Sequence, residues 1–508
     1  MRVTHLSLTD FRNYTEAEVP LRAGANLIVG RNGQGKTNLV EALGYLSTLG
    51  SHRVSDDKAM IRAGQPSAII RARLEYNGRE ILTEVQLNRV GLNRAQVNRS
   101  AIRTRDLPRY FSSVVFAPED LALVRGDPSG RRRFLDQLLV LRSPRMSGVI
   151  ADYERVLKQR NSLLKSARGS MAKQNQLSTL DIWDERLIGL GSEIIDARSE
   201  LVWLLGEPLR AAYRAVVGDD HGPQLVELLS VFGADGDAGV SARGVPGGRG
   251  VSTSSTSEMG ASQGIEARET TVGAGAVSDD AVRGVSSGEG GSSSGAAATA
   301  DGDAGVSARG VSGGRGVSTS STSEMGASQG VGARETTAGA GVVSDDAARG
   351  VSSGEGGSSS GAAATGDGEA GWSGRDGTRE AFREALAGVR GKELERGITL
   401  VGPHRDDLIF ILNDLPAKGY ASHGESWSFA LSLKLASAEL LRRDSATGDP
   451  VLILDDVFAE LDQSRRRRLA EAISEYEQVL ITAAVLDDVP EAFTAHTIHI
   501  RGGAVVDA

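Results

Sequence analysis

Eight consecutive residues, Gly30, Arg31, Asn32, Gly33, Gln34, Gly35, Lys36 and Thr37, match the spacing G-x-x-x-x-G-K-[ST] of a loop that wraps nucleotide phosphates. The glycines let backbone N–H groups turn inward on an anion at the positive end of a helix. Lys36 would pair with phosphate oxygens, and the Thr37 hydroxyl would ligate Mg²⁺. Far along the chain, Val451-Leu452-Ile453-Leu454 ends in Asp455 and Asp456. Four apolar residues in a row read as a strand buried on both faces. Asp455 would hold the Mg²⁺, directly or through water, and Asp456 would orient or deprotonate the attacking water. Alone, such a run is also compatible with a capped strand end; beside a full phosphate loop it reads as the acidic half of one site. Between the two lies Ser422-His423-Gly424-Glu425-Ser426, opening the helical run WSFALSLKLASAELL. This turn is either a simple N-cap or a second anion site.

The elements that must place these residues are legible nearby. Leu27-Ile28-Val29 forms an apolar strand before the loop, and Leu39, Val40, Ala42, Leu43 and Leu46 follow it at helical spacing. The chain has 508 residues, suggesting two or three domains, and no cysteine, which excludes disulfides, thiolate metal sites and a cysteine nucleophile. A reducing cytoplasm fits that composition. No leader-like apolar segment opens the sequence and no apolar run is long enough to span a membrane, so neither secretion nor a membrane partner is expected.

The net charge of -9 would argue against a nucleic-acid partner, but it is unevenly distributed. The stretch from Ala234 repeats from Ala300 with a 66-residue period and six differences, among them Pro246 against Ser312. These two copies hold 31 of the 64 glycines and 15 acidic against 8 basic residues, so nearly all of the acidic excess lies in them. A Gly/Ser/Ala repeat with no apolar face cannot offset its ordering entropy, so residues 234–375 are expected to be a disordered insert. The remainder is close to neutral and long enough for a sizeable core.

The order of phosphate loop, long intervening segment, S-x-G-E turn, and apolar-Asp-Asp followed by Ala459-Glu460-Leu461-Asp462 is that of ABC-type ATPase heads. More specifically, the chain resembles the RecF family of SMC-like ABC ATPases. The resemblance rests on Phe11-Arg12-Asn13-Tyr14, the loop and its helix, Phe116-Ala117-Pro118-Glu119-Asp120-Leu121, and Arg131-Arg132-Arg133-Phe134-Leu135-Asp136. Leu157-Lys158-Gln159-Arg160-Asn161, Gly402-Pro403-His404-Arg405-Asp406-Asp407 and the acidic strand end complete it. It implies an α/β fold: a P-loop ABC-type ATPase head built from both chain ends, with an α-helical lid or arm domain between them. The corresponding boundaries are 1–126 and 397–508 for the head, 127–233 for the lid and 376–396 for its return segment. Apolar-periodic helices are expected around Arg132–Leu141, Val149–Lys165 and Trp183–Leu205. Without hundreds of residues of heptads, a compact lid is expected rather than a long coiled coil.

By the same resemblance the ligands are ATP and Mg²⁺, and ATP joins two copies of the chain. Ser422 and Gly424 would then cap the nucleotide held by the other subunit, Asp462 would lie near the dimer seam, and Thr482 would take the switch position usually held by histidine in transporters. The resemblance implies binding to single-stranded or gapped DNA or to single/double-strand junctions, with weak ATPase activity acting as a switch. It also implies RecR- and RecO-type partners, RecA loading and SOS induction. No glutamine matches the Q-loop of transporters. DNA phosphates require Lys or Arg; the candidates are Arg53, Arg62, Arg71, Arg73, Arg103 and Arg105, with Arg99 and Arg131–Arg133 beside them. Any one of these is also compatible with a solvated face, and His404-Arg405 with a structural turn. Competing classes are the cytoplasmic ATPase subunit of a transporter, which should carry a Q-loop and a switch histidine, and a chromosome-organising ATPase, which should carry long heptads.

Overall fold

The computed structural model describes residues 1–167, 174–233, 241–244, 374–445 and 448–506. The chain opens with the antiparallel pair β1 (Arg2–Phe11) and β2 (Tyr14–Pro20). Strand β3 (Gly24–Val29) then runs into the phosphate loop and helix α1 (Lys36–Thr48). Strands β4 (Ser67–Tyr76), β5 (Arg79–Asn88), β6 (Arg94–Val97) and β7 (Ser100–Ile102) complete an antiparallel sheet of order β2-β1-β4-β5-β6-β7. One face of it is apolar: β4 buries Ala68, Ile70, Ala72 and Leu74, every second residue, as a half-buried strand must. That face joins α1 in a core with Leu39, Val40, Leu43 and Leu46.

After β8 (Ser113–Phe116) come the helices: α2 (Leu121–Arg125), α3 (Pro128–Arg142), α4 (Met146–Ala167) and α5 (Gln174–Val217). The first two periodic stretches fall inside α3 and α4. The third is only part of α5, which has 44 residues and is about 66 Å long at 1.5 Å per residue. It continues through Pro208 because the apolar stripe continues, with Leu209, Tyr213 and Val216 all buried. Strands β9 (Gln224–Leu229) and β10 (Ser241–Gly244), helix α6 (Gly374–Arg396), and strands β11 (Asp407–Leu412) and β12 (Leu415–Pro416) follow. They form a four-stranded antiparallel sheet of order β10-β9-β11-β12, with α6 packed on α5 and α4.

The expected disordered insert, 234–375, lies outside the described residues except for two short pieces. Residues 241–244 correct the expectation locally: they pair as β10 with β9, in register Ser241↔Leu229 to Gly244↔Val226. Backbone pairing at a sheet edge needs no apolar side chains, so composition alone does not reveal it. Residues 374–375 begin α6 rather than ending the insert.

The short α7 (Ala417–Tyr420) and the long α8 (His423–Asp444) lead to β13 (Val451–Asp455), α9 (Gln463–Ile473), β14 (Gln478–Ala483), β15 (Thr497–Arg501) and β16 (Ala504–Val506). The second six-stranded sheet has the order β16-β15-β3-β14-β13-β8 and is parallel except for β16. Strand β3, near the start, thus lies between two strands from the far end, and the head is assembled from both chain ends. Alternate residues of these strands face opposite cores. Leu452, Leu454, Val479 and Ile481 join the helices, whereas Val451, Ile453 and Leu480 join α1 and the first sheet. Burial on both faces is why β13 reads as an unbroken apolar run.

Candidate functional site

The phosphate loop is shaped by its glycines and braced from two directions. Gly33 and Gly35 have φ of 79° and 116°, in the left-handed range. A Cβ on Gly35 would sit 2.7 Å from Tyr14 Oη and 2.8 Å from Asn13 Nδ2, because the first hairpin presses on the loop there. Tyr14 Oη donates to Gly35 O at 3.0 Å and Asn13 Nδ2 donates to Gln34 O at 3.0 Å. Burial pushes the Tyr14 hydroxyl pKa up, keeping it a neutral donor. From the other side, the β15–β16 turn donates Gly503 N to Gln34 O at 3.1 Å and Gly502 N to Gln34 Oε1. The Phe-Arg-Asn-Tyr motif, noted in the sequence without a role, is therefore a support of the loop. Its Arg12 is fixed by both oxygens of the buried Glu41, at 2.8 and 2.5 Å.

Parallel pairing of β13 with β14 and of β14 with β3 brings the acidic strand end to the loop. Thr37 Oγ1 donates to Asp455 Oδ1 at 3.3 Å, joining the two expected metal ligands. Thr482, opposite Asp455 in register, donates to the same oxygen at 2.5 Å and accepts from Asp456 N at 2.9 Å. It therefore fixes both acidic residues. Burial pushes the Asp455 carboxyl up to about 6; the Thr482 and Thr37 hydroxyls oppose this, and the Asp456 and Glu119 carboxylates add to it. Lys36 is 3% exposed, and its Nζ lies 3.9 Å from Asp456 Oδ1, too far for a hydrogen bond. Asp456 has φ 51°, in the left-handed region, and its buried Oδ1 has no hydrogen-bond partner. A strained residue with an unsatisfied oxygen facing a buried ammonium marks a functional position more readily than a structural one.

Glu119 belongs to the Phe116–Leu121 motif of the resemblance. It follows β8, the neighbour of β13, pairs with Arg53 at 3.8 Å and acts electrostatically on Asp455. No spacing signal singles it out, since its position depends on a strand pairing across more than 300 residues.

Ser422 is the N-cap of α8 in a reciprocal capping box with Glu425. Ser422 Oγ accepts from Glu425 N at 3.3 Å, and Glu425 Oε2 accepts from Ser422 N at 2.8 Å. The Ser422 side chain and backbone hold the Glu425 carboxyl below its ordinary value. Gly424 lies within the first turn, where a Cβ would meet Arg465 Nη1 at 3.2 Å. Arg125, missed by the sequence reading, reaches this turn: Nε lies 3.3 Å from Ser426 Oγ and Nη1 3.4 Å from His423 Nδ1. Asp462 caps α9, accepting from Ser464 N at 2.9 Å and Arg465 N at 3.0 Å.

The arginines divide sharply. Arg53 pairs with Glu41 and Glu119, Arg62 with Asp10 at 2.7 Å, and Arg71 with Glu84. Arg131 is buried and bidentate on Asp407, at 2.7 and 2.9 Å. Arg73, Arg99, Arg103 and Arg105 are exposed and in no ion pair among the described residues. His404 Nε2 and the Arg405 guanidinium both meet Thr399 O, and His404 Nδ1 meets Tyr153 Oη at 2.7 Å, the geometry of a structural turn. No helix among the described residues is long and apolar enough to cross a membrane.

Phosphate loop, acidic strand end, capped α8 and a head made from both chain ends define an SMC-like ABC-type ATPase. A family model described as the RecF/RecN/SMC N terminal domain matches residues 2–500. The chain belongs to the RecF family. It is 53% identical over 507 residues to the DNA replication and repair protein RecF of Leifsonia xyli subsp. xyli, covering 100% of both chains. It is 51% identical over 508 residues to the protein of that name from Clavibacter sepedonicus, covering 100% of this chain and 95% of the relative. Among solved structures, one described as the recombination mediator protein RecF-ATP in the RecFOR pathway matches with a TM-score of 0.66 and 21% identity. It covers 100% of this chain and 97% of that one, a likeness of fold.

Proposed function

We propose that the chain is a cytoplasmic, ATP-switched DNA-binding protein of recombinational repair and replication that closes as a dimer on single-stranded, gapped or junction DNA. Full-length identity above 50% to relatives named for DNA replication and repair carries this reading and favours it over a transporter subunit or a chromosome-organising ATPase. Through RecR- and RecO-type partners it would assist RecA loading and SOS induction.

The site fits Mg²⁺-ATP on its own geometry. The left-handed glycines shape a cradle that a Cβ at Gly35 would obstruct, and the orphaned Asp456 Oδ1 faces Lys36. Gly30 to Lys36 would bind the phosphates, and Thr37 with Asp455 would hold the metal. Bound Mg²⁺-ATP would supply the transferable phosphoryl group and the cation that neutralises its charge. Asp456 offers a proton-accepting oxygen beside that place, and Thr482 keeps it there through the 2.9 Å bond to its backbone. Ser422 and Gly424 would close the site from a second copy, with Asp462 at the seam. Hydrolysis is slow and resets the dimer.

Light scattering with ATP and gapped DNA tests this, using Lys36→Met and Ser422→Arg. ATP should convert the unaltered chain to a dimer that binds DNA more tightly, and either substitution should abolish the conversion. An unaltered chain that stays monomeric with ATP and binds DNA no better overturns the reading.

A further inference from the structure

The loop joining β5 to β6 holds two aliphatic side chains in open solvent: Val90 is 90% exposed and Leu92 is 88% exposed. A slack loop would fold such residues down, but this one is braced from below. Asn88 Nδ2 donates to Leu92 O at 2.8 Å, and Asn93 Oδ1 accepts from Asn88 N at 3.0 Å. Arg89 Nε donates to Gln65 O at 2.7 Å, its Nη2 donates to Ile61 O and Arg62 O, and its backbone N–H donates to Pro66 O. Asn93 Nδ2 donates to Asp57 Oδ2 at 2.8 Å, tying the loop to the segment after α1. Gly91, at φ 89°, makes the bend at the tip. Six side-chain hydrogen bonds thus hold two apolar groups outward.

The surroundings of the tip are cationic. From Val85 to Arg105 the chain has five arginines and no carboxylate. Register pairs Ala95 with Ile102, so Arg94 and Arg103 leave the same end of the β6–β7 hairpin, and Thr104 Oγ1 donates to Asn93 O at 3.1 Å, keeping Arg103 and Arg105 beside the tip. Arg94, Arg103 and Arg105 are exposed and in no ion pair among the described residues.

We propose that this braced tip is a DNA wedge, in which Val90 and Leu92 stack on the last base pair where duplex meets single strand while Arg94, Arg103 and Arg105 hold the flanking phosphates. Apolar side chains that unstack a base step, flanked by cations on the backbone, are an established way of reading DNA shape without reading sequence. An acidic protein would also find the cations. But separate guanidiniums, with the nearby Asp57 carboxylate already held by Asn93 and Tyr45, suit a regularly charged backbone, and stacked bases are the apolar surface that such a backbone carries. The inference rests on the DNA-binding reading above and adds to it the surface and the structural feature that is recognised.

The test uses the full chain with a gapped duplex carrying 2-aminopurine at the last base pair, beside a blunt duplex of equal length. Val90→Ser/Leu92→Ser should leave affinity for the blunt duplex within about twofold but remove the preference for the gap and the fluorescence rise on unstacking. Arg94→Gln/Arg103→Gln should weaken both DNAs roughly tenfold and lower the salt slope by about 2. All four positions are exposed, and an unchanged melting curve shows that the variants fold. A serine variant that keeps the gap preference and the fluorescence rise overturns the wedge, and points to a protein partner if it loses binding to one instead. DNA binding kept in full by both variants overturns the surface alone. No DNA binding by the unaltered chain overturns the functional reading and the wedge with it.

Discussion

Two buried cations face carboxylates in opposite ways. In the helical region, Arg160 is 0% exposed and every arm of its guanidinium is used: Nε donates to Asp184 at 2.6 Å, Nη1 to Thr399 Oγ1 at 2.8 Å, and Nη2 to Glu393 at 2.6 Å. In the phosphate loop, Lys36 is almost as buried but stands 3.9 Å from Asp456 and 3.5 Å from Asn32 Oδ1. The first cluster is closed and can bind nothing more. The second leaves Asp456 Oδ1 without a partner and gives the Lys36 ammonium one long hydrogen bond, to Asn32, which suits a site that takes a charged ligand. Burial and charge are shared by both, so neither separates structure from function; hydrogen-bond completeness does.

Breaking the closed cluster should cost most. Arg160→Met leaves Glu393 buried and uncompensated, an expected loss of about 3–5 kcal/mol in unfolding free energy by urea titration. Nucleotide affinity of the molecules that remain folded should not change. Asp456→Asn does the reverse. Asparagine tolerates the left-handed conformation and relieves the strained carboxylate, so the melting temperature should hold or rise. ATP turnover should fall on the order of a thousandfold while binding persists, as for removal of a general base.

A pH measurement sharpens the contrast within the closed region. Burial pushes the His404 imidazole down to about 4, against 6.5 when unfolded, so the native state keeps it neutral. Its contribution is present in full above pH 6.5 and is lost as pH falls toward and through 4, about 3 kcal/mol in all. His404→Gln should therefore gain that much relative to the unaltered chain on going from pH 7 to below 4. Neighbouring Asp406 works in the opposite sense: burial raises it to about 6, so it favours folding below that pH in both proteins and cancels in the difference. The smallest effect belongs to the open site. Tyr14→Phe deletes the hydrogen bond to Gly35 O and should cost about 1 kcal/mol of stability. Nucleotide affinity should weaken a few-fold by calorimetry, because the loop loses one support.

The contrast also explains what the sequence disclosed. Gly30–Thr37 is a short local pattern that identifies itself by its spacing, whereas Asp455–Asp456 and Ser422–Gly424 are ambiguous alone and take their reading from their order relative to it. The two-ended head followed from their order and from the family resemblance. Arg160 lies in the Leu157–Asn161 motif of the resemblance, but that motif gives it no role, because its partners Asp184 and Glu393 are 24 and 233 residues away. Arg53, Arg62 and Arg71 look no different in sequence from Arg103 and Arg105, yet the first three are already paired with carboxylates brought in by the fold. Whether a charge is free is a property of tertiary pairing, not of its neighbours in the chain. Strand β10 was hidden for a related reason, since its place is set by backbone pairing with β9.

The clasp of Gly502 and Gly503 on Gln34 has a consequence in time. A ribosome releases the phosphate loop early, yet β3 gains its sheet neighbours β14 and β15 only near the end of the chain, and Gln34 its second support 468 residues later. A growing chain therefore carries a recognisable phosphate motif that is not yet a phosphate site. Until those last residues emerge, the loop lacks the neighbouring strands and the turn that brace it.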